Sequence, residues 1–316
     1  MRTVLFGSPP FATPVLERLL ASRHPVLALV TRPDKPKGRG REVALSPLAA
    51  LAAARGVLVL QPPNPHEPEF LARLRALEPS VLLVASYGVI LKRELLELAP
   101  QGALNVHASL LPRHRGASPV QAAILAGDRE SGVSIQRMAL ALDEGDVLLA
   151  KPIALDGDET AGELLERLAR LGGEAAVEAL ARLEGGTATF TPQDPRLASY
   201  ARKLEKRAGH VDWTQPAEEI ERLVRAMRPW PGARFLDPKG REVEVLRART
   251  DRGPARELEP GTIVEADARF VVATGRGALE LLELRAAGRN PLAAAEFLRG
   301  ARLERGAVLG SLRTEA

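Results

Sequence analysis

The sequence predicts an α/β protein: a doubly wound, mostly parallel sheet covered by helices, followed by a small β-barrel. Three observations carry that expectation. Short apolar strand-like runs alternate with helical segments from residue 4 to about residue 183, the pattern of repeated βα units whose strands are covered on both faces. After residue 190 five short apolar runs separated by Gly, Pro and Asp replace that alternation, which is the spacing of a small antiparallel barrel. No apolar run approaches the roughly 18 residues of a membrane span, and the first residues run straight into a strand rather than a signal peptide. A cytoplasmic protein without membrane contact is expected.

Residues 4–6 form the first predicted strand, closed by Gly7, Ser8 and Pro9; Thr13 and Pro14 then stand as N-cap and first residue of a helix to Leu20. Residues 25–30 read as the second strand. Ser46 and Pro47 open a helix to Arg55, residues 57–60 are a strand, 67–77 a helix and 81–85 another strand. Residues 103–107 follow as a strand, Ser118 and Pro119 open a helix, and 133–138 and 147–153 are strands. Thr160 and Glu163 have the spacing of a capping box at the head of a long helix to about Leu183. Beyond a helix at 216–227, the short strands are 234–236, 243–246, 262–264, 270–273 and 278–282. The expected organisation is a Rossmann-like domain over residues 1–192, a linker over 193–207 and an OB-like β-barrel over 208–316.

Composition narrows the chemistry. The 316 residues contain no Cys, which excludes disulfides, thiolate nucleophiles and Cys-ligated metal centres, and the five His show no HExxH-like spacing; no metal is expected. The formal charge of +4 falls entirely within residues 201–316, a balance that permits a polyanionic partner. Residues 32–41 hold five basic side chains against the single acid Asp34, either a solvated loop or a contact for such a partner.

One strand carries an unusual pair. Asn105 and His107 are two apart, so they share a face while Leu104 and Val106 pack on the other. They are either a satisfied core pair or a functional one, and His107 ends its strand at the sheet edge where sites form in open α/β folds. Asp143, after an alternating apolar run and before Gly145, lies at another such edge, where a carboxylate could reach the imidazole.

The segments NVHASLLPRHRGASP and LDEGDVL, together with FGSPPFATPVLERLL, TRPDKPKGRGR, ASYGVIL, SYARKLEKRAGHVDW and RPWPGA, resemble the methionyl-tRNA formyltransferases, within the wider group of 10-formyltetrahydrofolate-dependent transferases. Pro10 and His114 depart from the family pattern, which has an acidic residue and an aromatic at those places. The resemblance implies transfer of a formyl group from 10-formyltetrahydrofolate, a bound co-substrate, to the α-amine of methionyl-initiator tRNA. Asn105 and His107 would then donate to the developing oxyanion, with Asp143 supporting His107 and helping to carry the amine's proton. It implies that Ser109, Leu110, Leu111 and Pro112 hold the folate, with Tyr87 and Gly88 bordering the same cleft. Lys35, Lys37, Arg39 and Arg41 would contact the tRNA, Arg39 discriminating initiator from elongator, and no role for DNA is implied.

Other readings stay open at this level: a sugar-nucleotide formyltransferase, a formyl-folate hydrolase, or a non-catalytic RNA-binding module. A nicotinamide-dependent oxidoreductase is disfavoured, because the turn after the first strand, Gly7-Ser8-Pro9-Pro10-Phe11-Ala12, lacks the GxGxxG glycines that let backbone amides meet a pyrophosphate.

Overall fold

The computed structural model describes residues 1–34, 45–251, 253 and 258–312. The chain forms two compact units, one of Met1–Pro119, Glu130–Ala154 and Leu164–Ala201, the other of Val120–Arg129, Leu155–Glu163 and Arg202–Ala316.

Up to the end of the first unit the elements run β1 (Thr3–Gly7), α1 (Ala12–Leu20), β2 (Val26–Val30), α2 (Pro47–Ala54), β3 (Leu58–Leu60), α3 (Pro68–Ala76), β4 (Val81–Ala85), α4 (Arg93–Leu96), β5 (Ala103–His107), β6 (Arg115–Gly116), α5 (Pro119–Ala126), β7 (Glu130–Arg137), β8 (Val147–Ala154), α6 (Ala161–Glu184) and β9 (Tyr200–Ala201). The main sheet has the order β3-β2-β1-β4-β5-β7-β8. Its first five strands are parallel, and β7 is antiparallel to both β5 and β8. The mostly parallel α/β sheet expected from the sequence is therefore present.

Strands β1 and β4 are buried at every position, because helices cover both faces. Val4, Phe6, Leu82 and Val84 face one way, in a cluster with Phe70, Leu71 and Leu74 of α3 and Leu95 of α4. On the other side Val106 of β5 meets α6 at Gly172, with Phe11 and Val15 of the α1 region beside it.

Local capping set the starts of α2 and α6. The Ser46 hydroxyl accepts the Ala49 N–H at 3.2 Å, and Thr160 and Glu163 form the reciprocal capping box, with the Thr160 N–H donating to Glu163 Oε2 at 2.8 Å. Thr13 is a correction. It lies inside α1, which starts from Phe11 with no side-chain cap, because the Ser8 carbonyl accepts the Ala12 N–H and already supplies the first turn. The short elements α4, β6 and β9 span too few residues to impose a period on the sequence.

The second unit continues with α7 (Ala217–Ala226), β10 (Ala233–Leu236), β11 (Glu242–Asp251), β12 (Ile263–Ala266), β13 (Phe270–Ala273), β14 (Ala278–Ala286), β15 (Leu292–Ala293) and α8 (Ala294–Ala301). The antiparallel order is β10-β11-β14-β13-β12, with β15 beside β14. The segment at residues 306–310 joins the two outer strands: Gly310 exchanges backbone hydrogen bonds of 2.8 Å with Leu236 of β10, and Ile263 of β12 donates to the Ala307 carbonyl at 2.8 Å. Edge pairing is thereby closed into a small barrel around Trp213, Phe235, Ile263, Phe270, Leu281 and Phe297.

Two earlier segments complete this unit. Arg222 Nε donates to the Leu125 carbonyl at 3.1 Å, and Arg225 Nη1 to the Glu159 carbonyl at 3.2 Å. Among the described residues no helix is long and apolar enough to cross a membrane.

Candidate active site

The carboxyl end of β5 places Asn105 and His107 at the boundary where the parallel part of the sheet meets antiparallel β7. The register opposes Asn105 to Gln136 and His107 to Ser134, so the polar positions of both strands fall on one side. This is not the switch point of the strand order, which lies between β1 and β4.

Asp143 sits in the loop between β7 and β8 and gathers these strands. Its Oδ1 accepts from Gln136 Nε2 at 2.7 Å and from Asn105 Nδ2 at 3.2 Å; its Oδ2 accepts the Gly116 N–H at 2.8 Å. His107 Nδ1 stands 3.7 Å from Oδ2, within ion-pair range when that nitrogen carries a proton. The Asp143 backbone is left-handed, φ 54°, a conformation Asp tolerates better than most residues. Gly145 follows because a Cβ there would overlap the Arg137 carbonyl oxygen of β7.

His107 is 6 % exposed, and its Nε2 lies 3.0 Å from the His114 carbonyl. A carbonyl only accepts, so Nε2 bears the hydrogen. The donor aimed away from Asp143 is thus held by a residue of the neighbouring loop. On the Asn105 amide, the bond to a carboxylate assigns the nitrogen to that side and leaves its second N–H free to donate elsewhere.

The loop after β5 is braced from within. The Ser109 hydroxyl donates to the Arg113 carbonyl at 2.6 Å, the Ser134 hydroxyl to the Ser109 carbonyl at 2.8 Å, and the Leu111 N–H to Ser134 Oγ at 3.0 Å. Leu110 packs over Gly132 of β7. Leu110, Leu111 and Pro112 are half-buried, so the loop offers apolar surface on a preformed frame. On its far side β6 pairs with β9, Arg115 opposite Tyr200 and Gly116 opposite Ala201.

Tyr87 follows β4, the strand beside β5; it is 2 % exposed and packs edge-on against Phe6 at 5.3 Å, and burial raises its pKa. Gly88 follows it with φ 75°. Lys35, Lys37, Arg39 and Arg41 lie outside the described residues. The ends of that segment are joined through Asp34, whose carboxylate accepts the Ser46 N–H at 2.9 Å and the Gln61 amide at 2.8 Å.

Three residues of the site carry no mark in the sequence by themselves. Gln136 and Ser134 alternate with Val133 and Ile135, a visible period-two pattern, but only antiparallel register brings them opposite Asn105 and His107. Gln193 lies in a stretch whose sequence shows neither strand nor helix period, and it reaches back to the Asp143 carbonyl from beyond α6. Among the described residues no group of three or more His, Asp or Glu could hold a metal.

The model of the formyl transferase family matches residues 1–180, and that of the formyl transferase C-terminal domain matches residues 203–302. The chain is 42 % identical to a methionyl-tRNA formyltransferase of Symbiobacterium thermophilum over 95 % of its own length and 92 % of that protein. It is 44 % identical to one from Thiobacillus denitrificans, over 98 % and 100 %. Among solved structures, an N-formyltransferase from Helicobacter canadensis in complex with folinic acid and dTDP-3-aminofucose shares the fold, with a TM-score of 0.66, 16 % identity and coverage of 89 % and 98 %.

Proposed function

This chain belongs to the formyl transferase family, and from that membership we propose that it transfers the formyl group of 10-formyltetrahydrofolate to the α-amino group of methionyl-initiator tRNA. The observation that carries the reading is the convergence of Asn105, His107 and Asp143 at the end of β5. Bound 10-formyltetrahydrofolate supplies an activated formyl carbon, and attack by an amine builds negative charge on the formyl oxygen. The free N–H of Asn105 faces that need, and one such donor is worth about 10²–10³ in rate. Nε2–H of His107 supplies a second donor when substrate takes the place of the His114 carbonyl. Asp143 orients the imidazole and Asn105 together, and its carboxylate, directly or through water, takes the proton that the attacking amine loses; N10 of the folate is protonated in turn as its bond to the formyl carbon breaks. No covalent enzyme intermediate is required.

Leu110, Leu111 and Pro112 give the folate ring an apolar wall, and Ser109 holds that wall in shape through Arg113. Gly88 borders the cleft by its backbone. Residues 208–316 bind the tRNA together with the basic run of residues 202–207, where most of the positive excess lies, and Lys35, Lys37, Arg39 and Arg41 reach its acceptor end. These roles follow the family resemblance and the position of residues 31–34 beyond the carboxyl end of β2, the same edge as His107.

The test is incubation with 10-formyltetrahydrofolate and, separately, initiator Met-tRNA, elongator Met-tRNA, a nucleotide amino-sugar, or water alone. Formyl transfer to initiator Met-tRNA is expected to exceed all others, and Arg39→Ala to reduce that preference. Transfer to the amino-sugar, or release of formate alone, would overturn the reading.

A further inference from the structure

Beyond the three residues of the reaction, Asp143 depends on a strap that arrives from residues 191–201. Thr191 exchanges backbone hydrogen bonds of 2.9 Å with Val147, the first residue of β8. Two residues later, Gln193 Nε2 donates to the Asp143 carbonyl at 2.9 Å and to the Gly145 carbonyl at 2.7 Å. A Gln amide could sit either way round; here its oxygen accepts from Arg115 Nε at 3.1 Å and Nη2 at 2.9 Å. That two-pronged bond fixes the amide with its N–H groups toward the Asp143 loop.

Arg115 is itself 4 % exposed. Glu144 pairs with its Nη1 at 3.1 Å, and the Tyr200 ring lies 5.9 Å from its guanidinium carbon. The next residue, Gly116, donates its N–H to the Asp143 carboxylate, and its φ of 114° with a Cβ position against the Ala201 carbonyl admits only glycine comfortably. Asp143 is therefore held at both ends: at its backbone carbonyl by Gln193, and at its carboxylate by the strand that carries Arg115.

We propose that Gln193, oriented by Arg115, is a positioning residue that sets Asp143 for formyl transfer; the proposal rests on the catalytic reading above. A left-handed Asp backbone relaxes when its carbonyl loses the donor that holds it, and a shift of about 1 Å in a reacting group can cost as much as 10²-fold in rate. Among the described residues the hydrogen bonds of Gln193 go to Arg115, Gln136, Asp143 and Gly145 and none to residues 109–112, so its loss is expected in kcat rather than in KM.

The experiment is a double-mutant cycle on the full-length chain, read as steady-state formylation of initiator Met-tRNA, with single-turnover rates to isolate the chemical step. Gln193→Met keeps the length of the side chain and removes its donors. It is expected to lower kcat about tenfold, with KM for both substrates within about twofold of wild type. In an Asp143→Asn background the same substitution is expected to change the residual rate by less than about twofold. Arg115→Lys keeps the charge for Glu144 but loses the fork; it should show the same kcat loss, and it carries the test if Gln193→Met does not fold. Unchanged kcat in either variant, a loss confined to KM, or an equal loss in both backgrounds would overturn the proposal. Full activity in Asp143→Asn would instead count against the catalytic reading itself.

Discussion

The two carboxylate oxygens of Asp143 serve three side-chain and backbone donors besides the imidazole, and this unequal sharing makes the residues separable by mutation. Asn105→Ala leaves Asp143 with Gln136 and Gly116, so it removes the proposed donor to substrate and little else. Asp143→Ala strands the Gln136 amide, which is 1 % exposed, and an orphaned buried group costs about 1–3 kcal/mol. Asn105→Ala, His107→Ala and Asp143→Ala are each expected to slow the chemical step by about 10² or more, with tRNA affinity little changed. Only Asp143→Ala should also lower the thermal midpoint markedly. Near-normal single-turnover rates in all three would remove them from the reaction. Asn105 and His107 are legible in the sequence by their parity on one strand, and Asp143 by its place before Gly145. Gln136 is not, because a lone Gln on an alternating strand looks the same whether its neighbour across the ladder is catalytic or inert.

Among the elements, α6 shows how far a local signal reaches. The Thr160 N–H and hydroxyl both bond Glu163, and these bonds, the backbone one foremost, hold the Glu163 carboxyl below its ordinary value of 4.5. A carboxyl with a depressed folded-state pKa adds stability above the unfolded value, and that stability is lost as pH falls through the lower, folded one. Thr160→Ala is expected to cost about 1 kcal/mol at neutral pH. The stability gap between wild type and Glu163→Gln should narrow as pH drops below 4.5, read from thermal midpoints and amide exchange in the first turn of α6; a gap that widens on acidification would refute the assignment. Tertiary contacts carry more weight in β11, which continues through Arg247 and Arg249 past the apolar run that marked it. The Arg249–Glu280 bond of 2.7 Å across the ladder keeps these charged positions in the strand.

At the scale of the molecule, the two units do not follow one cut through the sequence. Residues 120–129 and 155–163 cluster with the barrel, and Gly162 donates to the Arg228 carbonyl at 3.1 Å within it. Val120 and Ile124 are both 3 % exposed. Burial of two such side chains is worth about 3–6 kcal/mol, a large part of the roughly 5–15 kcal/mol by which a domain is stable. A fragment of residues 1–207 is therefore expected to bind a hydrophobic dye and to melt below the full chain. A fragment that binds no dye and unfolds at the full-length midpoint would show that these segments do not need the barrel.

The sequence by itself determined the alternation of strands and helices, the capped starts of α2 and α6, the barrel strands, and the strand that carries Asn105 and His107. Each of these rests on residues within a few positions of one another, where periodicity, capping and turn chemistry act. Only the tertiary structure decided that β7 runs antiparallel beside β5, that Gln136 and Gly116 meet Asp143, that Gln193 returns from beyond α6, and that residues 306–310 close the barrel. Most of those contacts join residues far apart in the chain, and their partners are chosen by sheet register and loop path, which no local run of side chains encodes.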